Sequence, residues 1–169
     1  LFRSITEILN QYSVNVVYNP EFVAQGEIIN GFQNADMVLL GINEGQDLKI
    51  LMNLYKIITK KNVRFNVMST KAAELTKISI NCFLTTKISY ANMIGEIAIK
   101  SGLEKEVDLI LKAVGSDSRI GEKFLKYGFG FGGPCFPRDN KSLSVHAKKH
   151  KANSKIADIV NEKIGRAHV

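Results

Sequence analysis

From Lys71 to Lys100 the chain runs thirty residues without a proline and with a single glycine, Gly95. An interior proline removes a helical hydrogen bond and clashes with the preceding turn, so its absence over this length favours one uninterrupted helix. Such a helix is roughly 45 Å long at about 1.5 Å per residue. Ser69 and Thr70 can cap its start, Glu74 sits near its positive end, and Ser101–Gly102 supplies a stop. Its apolar residues, Leu75, Ile78, Phe83, Leu84, Ile88, Met93, Ile94 and Ile97, spread over several faces. That pattern describes a spine buried on more than one side, and a face for a second copy of the chain.

Upstream of the spine the pattern is α/β. VNVVYNP (Val14–Pro20), MVLLGIN (Met37–Asn43) and VRFNVM (Val63–Met68) read as strands, and Gly45–Thr59 carries apolar residues at helical spacing. Strand–helix–strand order implies a parallel or mixed sheet with a crossover helix. Phe2, Ile5 and Ile8–Leu9 recur as in an amphipathic helix. Downstream of the spine only helices are expected, over Glu104–Val114 (ending at Gly115), Lys141–Lys149 and Ser154–Lys163, with a helix-like EKFLKY before the glycine-rich segment. The domain change falls near Met68–Lys71, giving domains 1–68 and 69–163. Residues 164–169, IGRAHV, read as a non-native tail.

Length and a hydrophobic content of 45% allow a real core. The net charge of +7 favours an anionic partner. The basic residues are scattered, without a recognition helix or an aromatic RNA-binding pattern, so a phosphorylated small molecule is the expected partner and nucleic acid is not. Two cysteines, Cys82 and Cys135, stand far apart, which suits a reducing, cytoplasmic setting rather than a disulfide scaffold. No apolar run reaches membrane-spanning length, and no membrane partner is expected.

Chemistry concentrates in Gly128–Asp139, GFGFGGPCFPRD. Glycines allow close backbone approach, Pro134 and Pro137 stiffen the chain around Cys135, and Arg138 places a cation beside the thiol. Cys135 therefore reads as a nucleophile. Gly128, Gly130 and Gly133 formally satisfy G-x-G-x-x-G, but no strand precedes them, Pro134 follows, and Asn153 stands near the position of the acidic residue. The glycines fit a substrate loop better than a dinucleotide turn. Lys77 and Asn81 share a helix face. They are either a surface lysine with a core-edge asparagine, or an ammonium and an amide that hold an oxyanion. Cys82, among apolar neighbours, reads as a small buried hydrophobe. Glu21 follows a strand and Pro20, as a base or a turn residue. His146 and His150 have metal-binding spacing, but the lysines around them argue for a solvated basic face and no metal is expected.

The segments YNPEFVAQG, STKAAELTKISINCFLTTKISYANMIGE and DSRIGEKFLKYGFGFGGPCFPRDN, in this order, resemble the UDP-glucose/GDP-mannose dehydrogenases from about Val14 to Lys149. The RIG turn and the FLKYGFGFGGPCFPRD segment are closer to the UDP-glucose branch than to those for GDP-mannose or UDP-N-acetylmannosamine. The resemblance implies the C-terminal part of a Rossmann-like NAD-binding domain, followed by an all-helical central domain that dimerises through its long helix. It implies oxidation of the sugar C6 alcohol to a carboxylate in two NAD-dependent steps, turning UDP-glucose into UDP-glucuronate. By the same resemblance Cys135 is the nucleophile that forms a thiohemiacetal and then a thioester. Lys77 and Asn81 hold the C6 oxygen, Asp139 works with Lys77 through water, and Glu21 is the base for thioester hydrolysis. The turn Glu21, Phe22, Val23, Ala24 and Gln25 contacts substrate, as do Phe124, Lys126 and the loop Gly128, Phe129, Gly130, Phe131 and Gly132. Arg119 reaches a neighbouring subunit's site. Gln25, Cys135 and Arg138 line the nicotinamide side.

Two departures from the family pattern matter. Gln25 stands where members often carry glutamate, so it can hydrogen-bond but not act as a base. The upstream glycine fingerprint and the downstream nucleotide-sugar domain are absent from this sequence, so the chain alone is expected to be inactive. The alternatives are a dehydrogenase for GDP-mannose or a UDP-N-acetylhexosamine, or a dimerisation module without catalysis.

Overall fold

Continuous burial of Val38–Gly41 makes the apolar run Met37–Ile42 an inner strand, β1. In the computed structural model, which describes residues 8–9, 11–12, 16–23, 26–60 and 62–163, β1 follows a short helix, α1 (Ile28–Gln33). It pairs in parallel with β2 (Arg64–Ser69), in register from Met37 opposite Arg64 to Ile42 opposite Ser69. The crossover is α2 (Lys49–Ile58). This helix begins four residues later than Gly45, because Gly45 takes φ +80° and the Asp47 carboxylate accepts the Lys49 N–H, which sets up the first turn. Val38, Leu40 and Tyr55 form the core here, with Phe32, Leu51 and Phe65 packed on it.

The expected strand at Val14–Pro20 shrinks to a single bridge. Tyr18 exchanges both backbone bonds with Gly41, at 2.8 and 2.7 Å. Pro20 has no N–H to continue a ladder, and the Asn19 side chain, not its backbone, bonds the Leu39 carbonyl at 3.1 Å. Val14 and Asn15 lie outside the described residues, as do residues 1–7 of the amphipathic opening and the tail 164–169.

The spine is α3 (Thr70–Lys100), with Ser69 Oγ accepting the Ala72 N–H and Gly102 at φ +78° beyond its end. Two compact units divide the chain within it, Leu1–Lys77 and Ile78–Val169. In the second unit a 3-10 turn (Glu104–Glu106) leads into α4 (Val107–Ser116), which runs one residue past Gly115. Ala91, Ala98, Val107, Leu111 and Leu125 form its main core, and Ile88, Phe131 and Val160 a second cluster. EKFLKY is not helical: it is a run of turns, with Phe124 at φ +67°. Two further helices follow, α5 (Phe136–Lys149) and α6 (Lys155–Lys163). The start of α5 is the main difference from expectation, because it comes five residues before Lys141 and puts Cys135 at the helix N-terminus.

Candidate active site

In the first unit the turn after Pro20 is held on two sides. Tyr55 Oη donates to Asn19 Oδ1 at 2.6 Å, and Asn19 in turn donates to Leu39, tying the turn to β1. From α3, Lys77 Nζ donates to the Glu21 carbonyl at 2.5 Å and stands 4.4 Å from the centre of the Phe22 ring. Loss of hydration raises the Glu21 carboxyl above the usual range, and Lys77 and the Tyr55 hydroxyl only partly pull it back. A carboxylate tuned upwards is a better proton acceptor near neutral pH than an ordinary glutamate. Tyr55 and Asn19 escaped the sequence reading. Their trace there is a tyrosine among the apolar positions of Gly45–Thr59.

In the second unit Cys135 is exposed at the N-cap of α5, followed by Phe136 and Pro137 in the first turn. Proline suits that turn, since its missing N–H has no helical partner anyway. Two pairs of polar side chains bolt the turn to α3. Asn81 Nδ2 donates to Asp139 Oδ2 at 2.7 Å, and Asn140 Nδ2 donates to Thr85 Oγ1 at 3.1 Å. All four of these residues are buried. The other Asp139 oxygen accepts from Arg138, Nε at 3.0 Å and Nη2 at 2.9 Å. The Asp139 N–H closes the first turn on the Cys135 carbonyl at 2.8 Å. An oxyanion formed beside Cys135 thus meets the positive end of a fourteen-residue helix. Cys82 is buried, and burial together with the Asp139 carboxylate pushes its thiol up to about 11. Thr85 and Asn140 are additional to the residues read from sequence. The available signal was Thr85, one turn beyond Asn81.

The remaining expected residues are placed as follows. Gly128 (φ +86°) and Gly132 border open space, and Lys126 Nζ lies 5.5 Å from the Phe129 ring centre. Phe124 and Phe129 are exposed. Phe131 is not: its side chain is in the core, edge-on to Phe136 with ring centres 6.1 Å apart, which leaves only its backbone to meet a ligand. Arg119 folds onto Asp117 two residues away, at 3.0 and 2.6 Å. Val23 is half-buried, and its side chain packs against Gly31. Ala24 and Gln25 lie outside the described residues. His146 and His150 stack with ring centres 4.6 Å apart, and no three His, Cys, Asp or Glu gather as a metal site among the described residues.

Comparison with known proteins places these residues in a family. Residues 71–163 match the central domain of the UDP-glucose/GDP-mannose dehydrogenase family, and residues 2–59 match its NAD binding domain. The chain belongs to this family.

A UDP-glucose 6-dehydrogenase of Bacillus subtilis is 38% identical over 162 residues, 94% of this chain and 34% of that protein. One from Rickettsia felis is 35% identical over 149 residues, 88% of this chain and 33% of that protein. Among solved structures, a UDP-glucose dehydrogenase from Pyrobaculum islandicum superposes with a TM-score of 0.79 at 33% identity, covering 90% of this chain and 35% of that one. The chain spans about a third of the length of these two UDP-glucose 6-dehydrogenases. The family's cofactor is NAD, and the β1–α2–β2 unit suits it. Its strands are parallel, and at their C-terminal edge, where such folds take ligands, the Gly45 turn opens onto free space. A glycine fingerprint between strand and helix is not found among the described residues, so what the first unit offers NAD among them is that edge.

Proposed function

We propose that the chain carries the catalytic centre of a nucleotide-sugar 6-dehydrogenase acting on UDP-glucose. The observation that carries this reading is the exposed Cys135 at the first turn of α5, locked by the buried pairs Asn81–Asp139 and Thr85–Asn140. A thiol needed only for packing would be buried as Cys82 is.

Bound NAD supplies the hydride acceptor for both oxidations. In the first, Lys77 and Asn81 stabilise the C6 oxygen as it gives up its proton to water ordered by Asp139, leaving an aldehyde. The Cys135 sulfur then adds to C6, its proton moving to the new alkoxide, and a thiohemiacetal results. Loss of the second hydride from C6 and of the hydroxyl proton turns this adduct into a thioester. Water deprotonated by Glu21 attacks the thioester carbonyl, the C–S bond breaks, and the carboxylate leaves as Cys135 recovers its proton. Lys126 suits the diphosphate, Gly128–Gly132 the sugar, and Gln25 and Arg138 the nicotinamide side.

The domain change belongs at Met68–Ser69, between the two matched stretches, with 164–169 outside both. Since the chain spans about a third of those two enzymes, it turns over no UDP-glucose alone, and NAD reduction by the 169-residue chain would refute this. Phe83, Tyr90 and Ile97, exposed at intervals of seven on α3 with Met93 beside them, support a homodimer through this helix. Among the described residues no helix is long and apolar enough to cross a membrane, and a cytoplasmic enzyme is the reading we adopt. The decisive test is Cys135→Ser in the full-length enzyme, assayed for NADH released per sugar. Wild type should release two NADH per UDP-glucuronate, and the variant should form none. Full four-electron oxidation by the variant overturns the covalent route. Faster turnover of GDP-mannose or a UDP-N-acetylhexosamine overturns the choice of sugar.

A further inference from the structure

Three positions on α3 beyond Thr85 meet the segment from Ile120 to Phe129. Lys87 Nζ donates to the carbonyls of Ile120 and Gly121 at 3.1 and 3.0 Å. Asn92 uses both ends of its amide: Nδ2 donates to the Phe129 carbonyl at 2.7 Å, and Oδ1 accepts the Gly128 N–H at 2.9 Å. Gly95 leaves a notch that the Tyr127 ring fills, since a Cβ at this position would stand 2.0 Å from Tyr127 Cδ2.

This arrangement is selective in its chemistry. Gly128 and Phe129 present one donor and one acceptor, and a primary amide matches both at once. An aspartate keeps only the acceptor, and an alanine neither. Gly128 takes φ +86°, and a Cβ added there, or at Gly132, would meet nothing within 4 Å, so the loop backbone is open to approach. The amide therefore grips the loop from α3 and leaves its open backbone for a ligand.

The geometry points to Asn92 as a positioning residue that fixes the Gly128–Gly132 loop for the nucleotide sugar, with Lys87 and the Gly95 notch holding the segment upstream. This rests on the proposed nucleotide-sugar function. Asn92 acts through the loop backbone and does not take part in the chemistry at C6.

The test combines steady-state kinetics with hydrogen exchange on the full-length enzyme. Two hydrogen bonds partly open to water set the expected scale at about tenfold. Asn92→Ala should raise KM for UDP-glucose about tenfold with kcat within about threefold, and should speed exchange of the Gly128 amide by about the same factor. Asn92→Asp, which keeps the acceptor for Gly128, should restore the Gly128 protection and part of the KM. If Asn92→Ala fails to fold, Asn92→Asp and Lys87→Met carry the same two readouts. A KM equal to wild type, or a loss confined to kcat, overturns the positioning role while leaving the dehydrogenase reading intact. A wild-type enzyme inert towards every nucleotide sugar overturns both.

Discussion

Replacing Gly95 by alanine sets two effects of opposite sign against each other. In a helix interior alanine is favoured over glycine by about 1 kcal/mol. Against this, the new Cβ would stand 2.0, 2.5 and 2.7 Å from Cδ2, Cγ and Cε2 of Tyr127. Because Cγ is one of the clashing atoms, ring rotation offers no escape and the whole side chain must leave the notch. Tyr127 is 36% exposed, so eviction returns roughly 130 Å² to water. At ~25 cal/mol per Å² that costs about 3 kcal/mol. The clash wins, by about 2 kcal/mol. The loss is local to the segment that Tyr127 anchors, so it should appear as roughly thirtyfold faster amide exchange over residues 120–129, at about 1.4 kcal/mol per decade. The decisive control is the Tyr127→Ala background, where no ring meets the new methyl. There Gly95→Ala should stabilise by about 1 kcal/mol, so the sign reverses. Slower or unchanged exchange for Gly95→Ala alone, or the same sign in both backgrounds, would refute the notch.

Alkylation near pH 8 followed by peptide mapping should modify Cys135, which is exposed, and spare Cys82, which is buried with its thiol pushed up to about 11. Asn81→Ala removes the Nδ2 donor from a buried carboxylate that, among the described residues, keeps Arg138 as its side-chain partner and should lower stability by about 1–3 kcal/mol, read as a shift in the urea midpoint. Asp158 accepts from Ser144, Ser154 and Lys148, and these bonds hold its carboxyl down to about 2. A depressed folded pKa means that its contribution is complete above about pH 4 and is lost as pH falls towards 2. The urea midpoint should therefore drop between pH 5 and pH 2.5, and the drop should be smaller in Asp158→Asn. Glu21 must be deprotonated to activate water, so its raised pKa should place the acid limb of thioester hydrolysis above that of a solution glutamate. Glu21→Gln should remove the limb and leave a sugar adduct on Cys135, detectable by mass; an unchanged limb would exclude Glu21 as the base.

The parts of the fold that rest on local pattern were legible. A proline-free run gave α3 to within a residue of its start, and the runs Met37–Asn43 and Val63–Met68 gave two strands with a helix between them, observed within a residue of those bounds at Met37–Ile42 and Arg64–Ser69. The start of α5 was hidden because Pro134 and Pro137 look like loop stiffeners on either side of Cys135. Pro137 instead occupies the first helical turn, where proline is favoured, and Asp139 adds a negative charge at the positive end. The contacts that fix the cysteine could not be read locally at all. Asn81 and Asp139 are 58 residues apart, and Thr85 and Asn140 are 55 apart. What the sequence does carry is a register: Asn81 and Thr85 lie one turn apart on α3, and they meet the consecutive residues Asp139 and Asn140.

The phenylalanines of GFGFGG show why a strand period could not have separated ligand contact from packing. In an extended segment residues two apart share a face, yet these two rings do not. Phe129 is 59% exposed and Phe131 is 7% exposed, packed with Ile88 and Val160 and edge-on to Phe136. Phe136 is the first residue of α5, immediately after Cys135. Thus one ring faces outward, while the next anchors the loop to the helix that presents the thiol. On the proposed function, the Phe131 ring bears on catalysis through the position of Cys135, and only its backbone is left to meet the sugar. Because a loss of packing there displaces loop and thiol together, a truncated side chain should lower kcat as well as raise KM. Truncating Phe129 should raise KM alone. Equal kinetic profiles for Phe129→Ala and Phe131→Ala in the full-length enzyme would show that the two rings do not divide these tasks.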